Sequence, residues 1–484
     1  MKQLSGLDAS FLNMETPTTV GHVSSLIVLG PTPDGVDLYA ALRQSFEERL
    51  HLLPIYRRKL AEVPFGLDHP YWVDDPDLDL EYHVREIGLP APGDDRRLGE
   101  QVARIVGRPL DRTRPLWEVY VFSGLEGGRS AVLSKIHHST IDGVSGAELL
   151  QVLLDTEPEG RDVEPPAEPW VPESAPSPAE LLARTMLGYA LIPRKAIRLQ
   201  VRLLRTTANV TRNPAARGMV RALVPGLNKI GLLDRSDRVA EPTLPNRPAP
   251  RTPFNATISP HRRYAFTTLS LSDARKVKSS FGVTVNDVVM AVCAGALRRY
   301  LQDRDALPDD PLIAMIPVSV RIPGASDDSS NMVTGVVAPL HTNVADPAAR
   351  LGAIHGSMVA AKELQRAIPA TLLTEASALA PPALAAQAAQ LASRLRIADR
   401  MVSPINLTVS NVPGPRVPLY LAGAAMQHFY PVSTIADGQG LNMTVQSYLD
   451  NLDFGLIACR KLVPDLWDLC GHLQPSLDEL LDAV

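Results

Sequence analysis

A basic stretch with no acidic residue divides this chain and limits what it can fold into. Between positions 181 and 230 the sequence holds ten Lys and Arg and no Asp or Glu. Pro-rich segments at 158–178 and 241–250 flank it, and such segments read as linkers or exposed straps. On either side the text alternates strand-like and helix-like periods. A length of 484 residues, at roughly 100–200 per domain, implies two or three domains. The expectation is an α/β chain in three parts: one unit at 1–165, a helical connector at 166–258, and a second unit at 259–484.

The first unit carries the stretch richest in chemistry. Residues 130–136 alternate apolar and polar as a strand does. His137, His138, Ser139, Thr140, Ile141, Asp142 and Gly143 follow, and the apolar spacing of 144–154 then fits a helix. Gly143 opens the chain between them. An imidazole at a strand-to-helix corner projects into a cleft rather than a core. With a reference pKa of about 6.5 it can pass protons near neutrality. A catalytic base is the sharp reading; a surface or satisfied core histidine is the bland one. Further strands are expected at 20–29 and 117–122, a helix at 36–53, and a turn at 124–129.

The second unit repeats the plan of strand, polar loop and helix without an exact sequence repeat. Strands are expected at 264–271, 312–321, 405–410 and 440–448, and a helix from a Ser272 cap. A longer helix starts within 283–292, with Asn286 or Asp287 near its N-terminus. Cys293 falls in that helix's apolar run and reads as core. The Ala- and Leu-rich 371–395 segment, with Glu375 and a Pro381-Pro382 break, predicts two helices separated by a kink.

Several function classes drop out. A net charge of −5 does not suit a surface that binds nucleic acid throughout. Cys293, Cys459 and Cys470 are too few and scattered for a disulfide framework or a four-thiolate zinc site, which points to a reducing compartment. The N-terminus lacks the pattern of a signal peptide, and no segment offers the ~18 uninterrupted apolar residues of a spanning helix. The expected location is cytoplasmic. The basic 181–230 segment interleaves Leu, Ile and Val with its cations, so its face can lie on anionic lipid. A helix whose Arg side chains pair with acids of the flanking units is the alternative. Tyr189 is its only aromatic residue, too few for stacking on RNA bases.

Taken together, Leu7-Asp8-Ala9-Ser10-Phe11-Leu12, Pro115-Leu116-Trp117, the 137–143 motif, Asn286-Asp287, Pro317-Val318-Ser319-Val320-Arg321, Asn331 and Ser410-Asn411-Val412-Pro413-Gly414-Pro415 resemble, in this order, the bacterial wax ester synthase/acyl-CoA:diacylglycerol acyltransferase family. The resemblance implies two chloramphenicol-acetyltransferase-like α/β sandwich units with a tunnel at their interface. It implies His138 as general base, His137 as its supporting neighbour, and Asp142 as a loop residue paired with an Arg of the other half, for which Arg321 is the candidate. Gly143, Asn286 and Asp287 would support the site. Acyl-CoA would be the co-substrate, with no metal or redox cofactor, and diacylglycerol or a long-chain alcohol the acceptor. Peripheral contact with the inner membrane or lipid inclusions would follow. Ser139 and Thr140 are among the possible oxyanion donors. Two other readings stay open: an acyltransferase using a carrier-protein thioester, and a non-catalytic protein of lipid surfaces. The intact His pair, Asp142 and Gly143 argue against the second.

Overall fold

The alternating segments pair into two large sheets that share strands across the length of the chain. The structure is a computed structural model and describes residues 1–140, 152–190, 248–320, 332–366, 382–400 and 403–484. The first half supplies β1 (Lys2–Gln3), β2 (His22–Leu29), β3 (Arg58–Ala61), β4 (Tyr71–Asp74), β5 (Val84–Gly88), β6 (Trp117–Ser123) and β7 (Ser130–His137). The second supplies β8 (Arg262–Ser270), β9 (Ile313–Val320), β10 (Met332–Pro339), β11 (Leu407–Val412), β12 (Tyr420–Leu421), β13 (Ala424–Val432), β14 (Leu441–Tyr448) and β15 (Asn451–Cys459).

One sheet runs β12-β13-β2-β7-β6-β5 and the other β10-β9-β11-β14-β15-β8, with a small sheet β1-β4-β3 beside them. The division expected at the connector is therefore not clean. The β12–β13 hairpin belongs by sequence to the second half, yet it completes the sheet of the first, with Val432 opposite Ser24 and Met426 opposite Leu29. The reason is burial on both faces. Phe429 enters one apolar cluster with Ile27 and Val132, while Tyr430 and Val432 enter another with Leu26 and Leu133. The buried Asp453 carboxylate ties the hairpin back to its own half, accepting from the Phe429 N–H at 2.7 Å and the Thr268 hydroxyl at 2.6 Å.

Helix Asp95–Val106 is capped by Asp94, which accepts from the Arg97 N–H. Its Leu98, Val102 and Val106 form one cluster with Leu26 and Val28 of the first sheet and Tyr264 and Phe266 of the second. At about 1.5–3 kcal/mol for each large apolar side chain fully buried, this cluster makes the two halves share a core. Behind the second sheet, helix Val285–Gln302 buries Val288, Val292 and Leu297 against Leu407, Val409, Met443 and Val445. Cys293 is part of this core, and burial pushes its thiol up to about 12.

One local expectation needs adjusting, and another holds. The helix expected from a Ser272 cap spans Leu271–Phe281, and Ser270 caps it, accepting from the Asp273 N–H at 3.1 Å. Helix Val285–Gln302 is capped by Thr284, with Asp287 as the acidic partner of a capping box. Of the expected helix pair at 371–395, helix Pro382–Arg394 is described and 367–381 lies outside the described residues. Most of the basic segment also lies outside them. Its first part, in helix Pro178–Ala190, buries Leu181 beside Val63 and Tyr71, while Arg184 pairs with Glu180 on the same helix. Among the described residues no single helix is long and apolar enough to cross a membrane.

Candidate active site

His137 closes a ladder and His138 is the first residue to leave it. In the β2–β7 register His137 lies opposite His22. The His137 N–H donates to the Leu116 carbonyl and the His138 N–H to the Gly21 carbonyl, both at 2.9 Å. The chain then turns through a short 3-10 segment, His138–Thr140. Leu116 leads into Trp117, which pairs with Ile136 in the neighbouring strand. The Trp117 Nε1 donates to the Tyr56 carbonyl at 2.9 Å, and its ring stacks on His83 at 4.3 Å.

The two imidazoles have different surroundings. Both nitrogens of His137 face protein groups. Nδ1 accepts from the Ser139 N–H at 3.1 Å and lies 2.7 Å from the Ser139 hydroxyl. Because that N–H needs a lone pair, the neutral ring carries its hydrogen on Nε2. Nε2 lies 3.3 Å from Glu15 Oε1, a charge contact rather than a well-aligned hydrogen bond. Glu15 also accepts the Gly21 N–H at 2.8 Å and is gripped by Arg112 at 2.6 Å, which in turn reaches the Leu12 carbonyl. Burial alone would raise the Glu15 pKa, but the close His137 contact and the Arg112 guanidinium outweigh it and hold the carboxyl at about 2. The result is a fixed frame, Arg112–Glu15–His137–Ser139. Gly21 is part of it, since a Cβ there would sit 2.5 Å from His137 Nε2 and 2.9 Å from the Phe11 carbonyl.

His138 is held differently. Its ring stacks on Phe11, with centroids 4.1 Å apart and planes 7° from parallel. Helix Gly6–Asn13 presents Phe11; Ser5 caps it, and Leu12 anchors its other side among Trp72, Leu110 and Leu116. The ring is half-buried, yet desolvation drives its pKa down to about 4, opposed by a hydrogen bond with its own backbone and assisted by neighbouring His137. Covalent geometry lets only Nδ1 reach the residue's own carbonyl, so Nε2 keeps the lone pair. At neutral pH this is an uncharged imidazole with a basic nitrogen not engaged by any described residue.

The loop lies where the halves meet. Val20, beside Gly21, accepts from the Thr434 hydroxyl at 2.8 Å, and buried Arg262 donates to the Thr18 carbonyl. Helix Gly6–Asn13 also touches helix Pro382–Arg394 of the second half.

The wax ester synthase/diacylglycerol acyltransferase catalytic domain matches residues 4–289, and the C-terminal domain of the same family matches 329–481. The chain belongs to the wax ester synthase/diacylglycerol acyltransferase family. Two Mycobacterium tuberculosis proteins named as diacylglycerol O-acyltransferases are 39% and 36% identical to it. The first match spans 99% of this chain and 100% of the relative, the second 100% and 91%. The solved wax ester synthase/diacylglycerol acyltransferase of Marinobacter aquaeolei VT8 superposes with a TM-score of 0.66 at 32% identity, over 99% of this chain and 98% of that one. The first condensation domain of the CDA synthetase shares the fold, with a TM-score of 0.53 at 16% identity, over 100% and 97% of the two chains. The protein is an acyltransferase of α/β sandwich architecture.

The other residues expected at this acyltransferase's site divide into three groups. Asp142, Gly143, Arg321 and Asn331 lie outside the described residues. Asn286 and Asp287 bond within the second half. Asp287 accepts from the Thr284 N–H at 2.9 Å and meets His355 Nδ1 at 2.8 Å, while Asn286 accepts from Asn411 at 3.3 Å. Of the oxyanion candidates, the Ser139 hydroxyl is engaged by His137, whereas buried Thr140 Oγ1 has no partner among the described residues. Glu15, Arg112 and Gly21 were not singled out from sequence. Nothing local marks them, because their roles come from contacts across up to 122 positions, as between Glu15 and His137.

Proposed function

We propose that this enzyme transfers an acyl group from acyl-CoA directly to the hydroxyl of diacylglycerol or a long-chain alcohol, with His138 as general base. The observation that carries the reading is the His138 ring, turned out of the β7 ladder at the junction of the halves, its pKa lowered by burial and its Nε2 not bonded by any described residue. The acceptor O–H donates to Nε2. A base with a pKa near 4 does not ionise an alcohol beforehand. The proton therefore moves as the oxygen attacks the thioester carbonyl and its charge becomes positive. The new C–O bond forms, the C–S bond breaks, and the departing thiolate recovers the proton from the imidazolium. Both substrates must be present together, and no acyl-enzyme forms, because the thioester is already activated. Fixing both substrates supplies the larger part of the acceleration. His137, bonded to Ser139 through Nδ1 and with Nε2 against Glu15, holds the loop and takes no proton from substrate.

The test is thiol release by the purified chain given palmitoyl-CoA. The reading predicts release that depends on added diacylglycerol or hexadecanol and matches the ester formed. Equal release without acceptor, or transfer only from a carrier-protein thioester, contradicts it.

A further inference from the structure

The segment that feeds β2 is bonded to the catalytic loop and to the opposite half at once. Residues 15–21 close on themselves: the Gly21 N–H donates to Glu15 Oε1 at 2.8 Å and the Thr16 N–H to the Thr19 carbonyl at 3.0 Å. Within this closed segment the backbone acceptors are shared out. The Gly21 carbonyl takes the His138 N–H at 2.9 Å. The carbonyls of Thr18 and Val20 are taken by side chains from the second half, Arg262 and Thr434, the latter at 2.8 Å. Arg262 opens β8, and Thr434 follows the end of β13.

Arg262 is an expensive residue to place here. It is 5% exposed and makes no ion pair among the described residues. Burial lowers its pKa to about 10, against the pull of the Cys459 thiol and Asp437, which favour the charge without bonding it. It is therefore a buried cation at neutral pH, and such a charge is costly without a carboxylate. Backbone offsets the cost. The guanidinium donates to the Ser259 carbonyl as well as to Thr18. Its stem passes the C-terminus of helix Asp95–Val106, where a Cβ on Gly107 would lie 3.6 Å from Arg262 Cγ, and the negative end of a helix dipole favours a cation. Val106, the last residue of that helix, accepts from His22 Nε2 at 2.9 Å, and His22 lies opposite His137 in the ladder. An aliphatic side chain would fill the space without burying a charge. A planar fork of donors can hold two carbonyls at once.

We propose that Arg262 and Thr434 are positioning residues, which fix the 15–21 segment from the second half and, through Gly21 and Glu15, set where His138 stands. The proposal rests on the general-base reading above and names what holds the base. The base is then in register only while the two halves are docked.

The experiment compares wild type with Arg262→Met, Thr434→Val and the conservative Thr434→Ser in kcat, KM, melting temperature and the pH profile of kcat/KM. Misplacing a catalytic group by about 1 Å costs on the order of 10²-fold, the loss expected in kcat for Arg262→Met. Thr434→Val, which gives up one hydrogen bond, should lose about tenfold. KM for palmitoyl-CoA and for hexadecanol should stay close to wild type. Phe11 and His137 face the His138 ring, and desolvation is the larger cause of its low pKa. A loosened loop admits water, so the acid limb should move up from near 4 toward 6.5 in both variants. Thr434→Ser keeps the hydroxyl and should behave as wild type. Thr434→Val decides the outcome should Arg262→Met not fold. A lower melting temperature with kcat and the acid limb unchanged overturns the proposal, as does a Thr434→Ser that fails like Thr434→Val. Full turnover in His138→Ala overturns the general-base reading itself, and this proposal with it.

Discussion

Replacing His138 with alanine is expected to lower kcat for acyl transfer by roughly 10²–10⁴-fold, about 3–5 kcal/mol of transition-state stabilisation, with little change in melting temperature. The asymmetry follows from how the ring is held. The His138 N–H bonds the Gly21 carbonyl through the backbone, which alanine keeps. The side chain bonds its own backbone and stacks on Phe11, so little of the fold depends on it. Chemistry loses the acceptor for the alcohol proton, and attack must then proceed through a cationic oxygen. Steady-state rates of ester formation beside thermal melts check both halves of the prediction. A variant with wild-type turnover would remove His138 from the mechanism.

The second large effect is expected at a residue far from the motif in sequence. Glu15→Ala leaves the Gly21 N–H, His137 Nε2 and Arg112 without their shared acceptor. Arg112 is 38% exposed and can turn to water, so the stability loss is about 2–3 kcal/mol rather than that of a fully buried pair. Turnover should fall on the order of 10²-fold, because a small displacement of the loop misplaces His138 against the reacting atoms. Glu15→Gln separates charge from hydrogen bonding, since its carbonyl can still accept from Gly21. The carboxyl sits at about 2 against an ordinary 4.5. Its stabilisation is complete above pH 4.5 and drains away as pH falls toward 2. Acid unfolding of Glu15→Gln should therefore be shallower across that window, as measured by denaturation at fixed pH values. An identical slope would show that the frame carries no charge.

The sequence made local features legible and left the long-range ones hidden. Short apolar runs or apolar-polar alternation marked β2, β6, β7, β8, β9 and β14, although β6 and β14 are buried along nearly their whole length. The corner at His138 was visible in the same way: polar residues interrupt an alternating run before a helical one. The β12–β13 hairpin was not legible. Its apolar residues announce burial but not that the partner is β2, some four hundred positions away. The Asn286-Asp287 pair read as a helix start, and it is one, but Thr284 caps the helix and Asp287 completes the box. Phe11 lay inside a recognised signature without any sign that it stacks on the His138 ring, since a helical residue's direction depends on what anchors the opposite side. The Arg112–Glu15–His137 frame joins three distant segments, and only folding brings them together.

The central claim is that desolvation keeps the His138 imidazole neutral and basic at the meeting point of the halves. The pH dependence of kcat/KM for acyl transfer tests it most directly. The ring is active when unprotonated, so the rate should fall as pH drops through the His138 pKa, with half-loss near pH 4 rather than at the ordinary 6.5. Profiles corrected for unfolding and for substrate ionisation should show this limb in wild type, and the residual rate of His138→Ala should lack it. A half-loss at 6.5 or above, or the same limb in His138→Ala, would contradict the account.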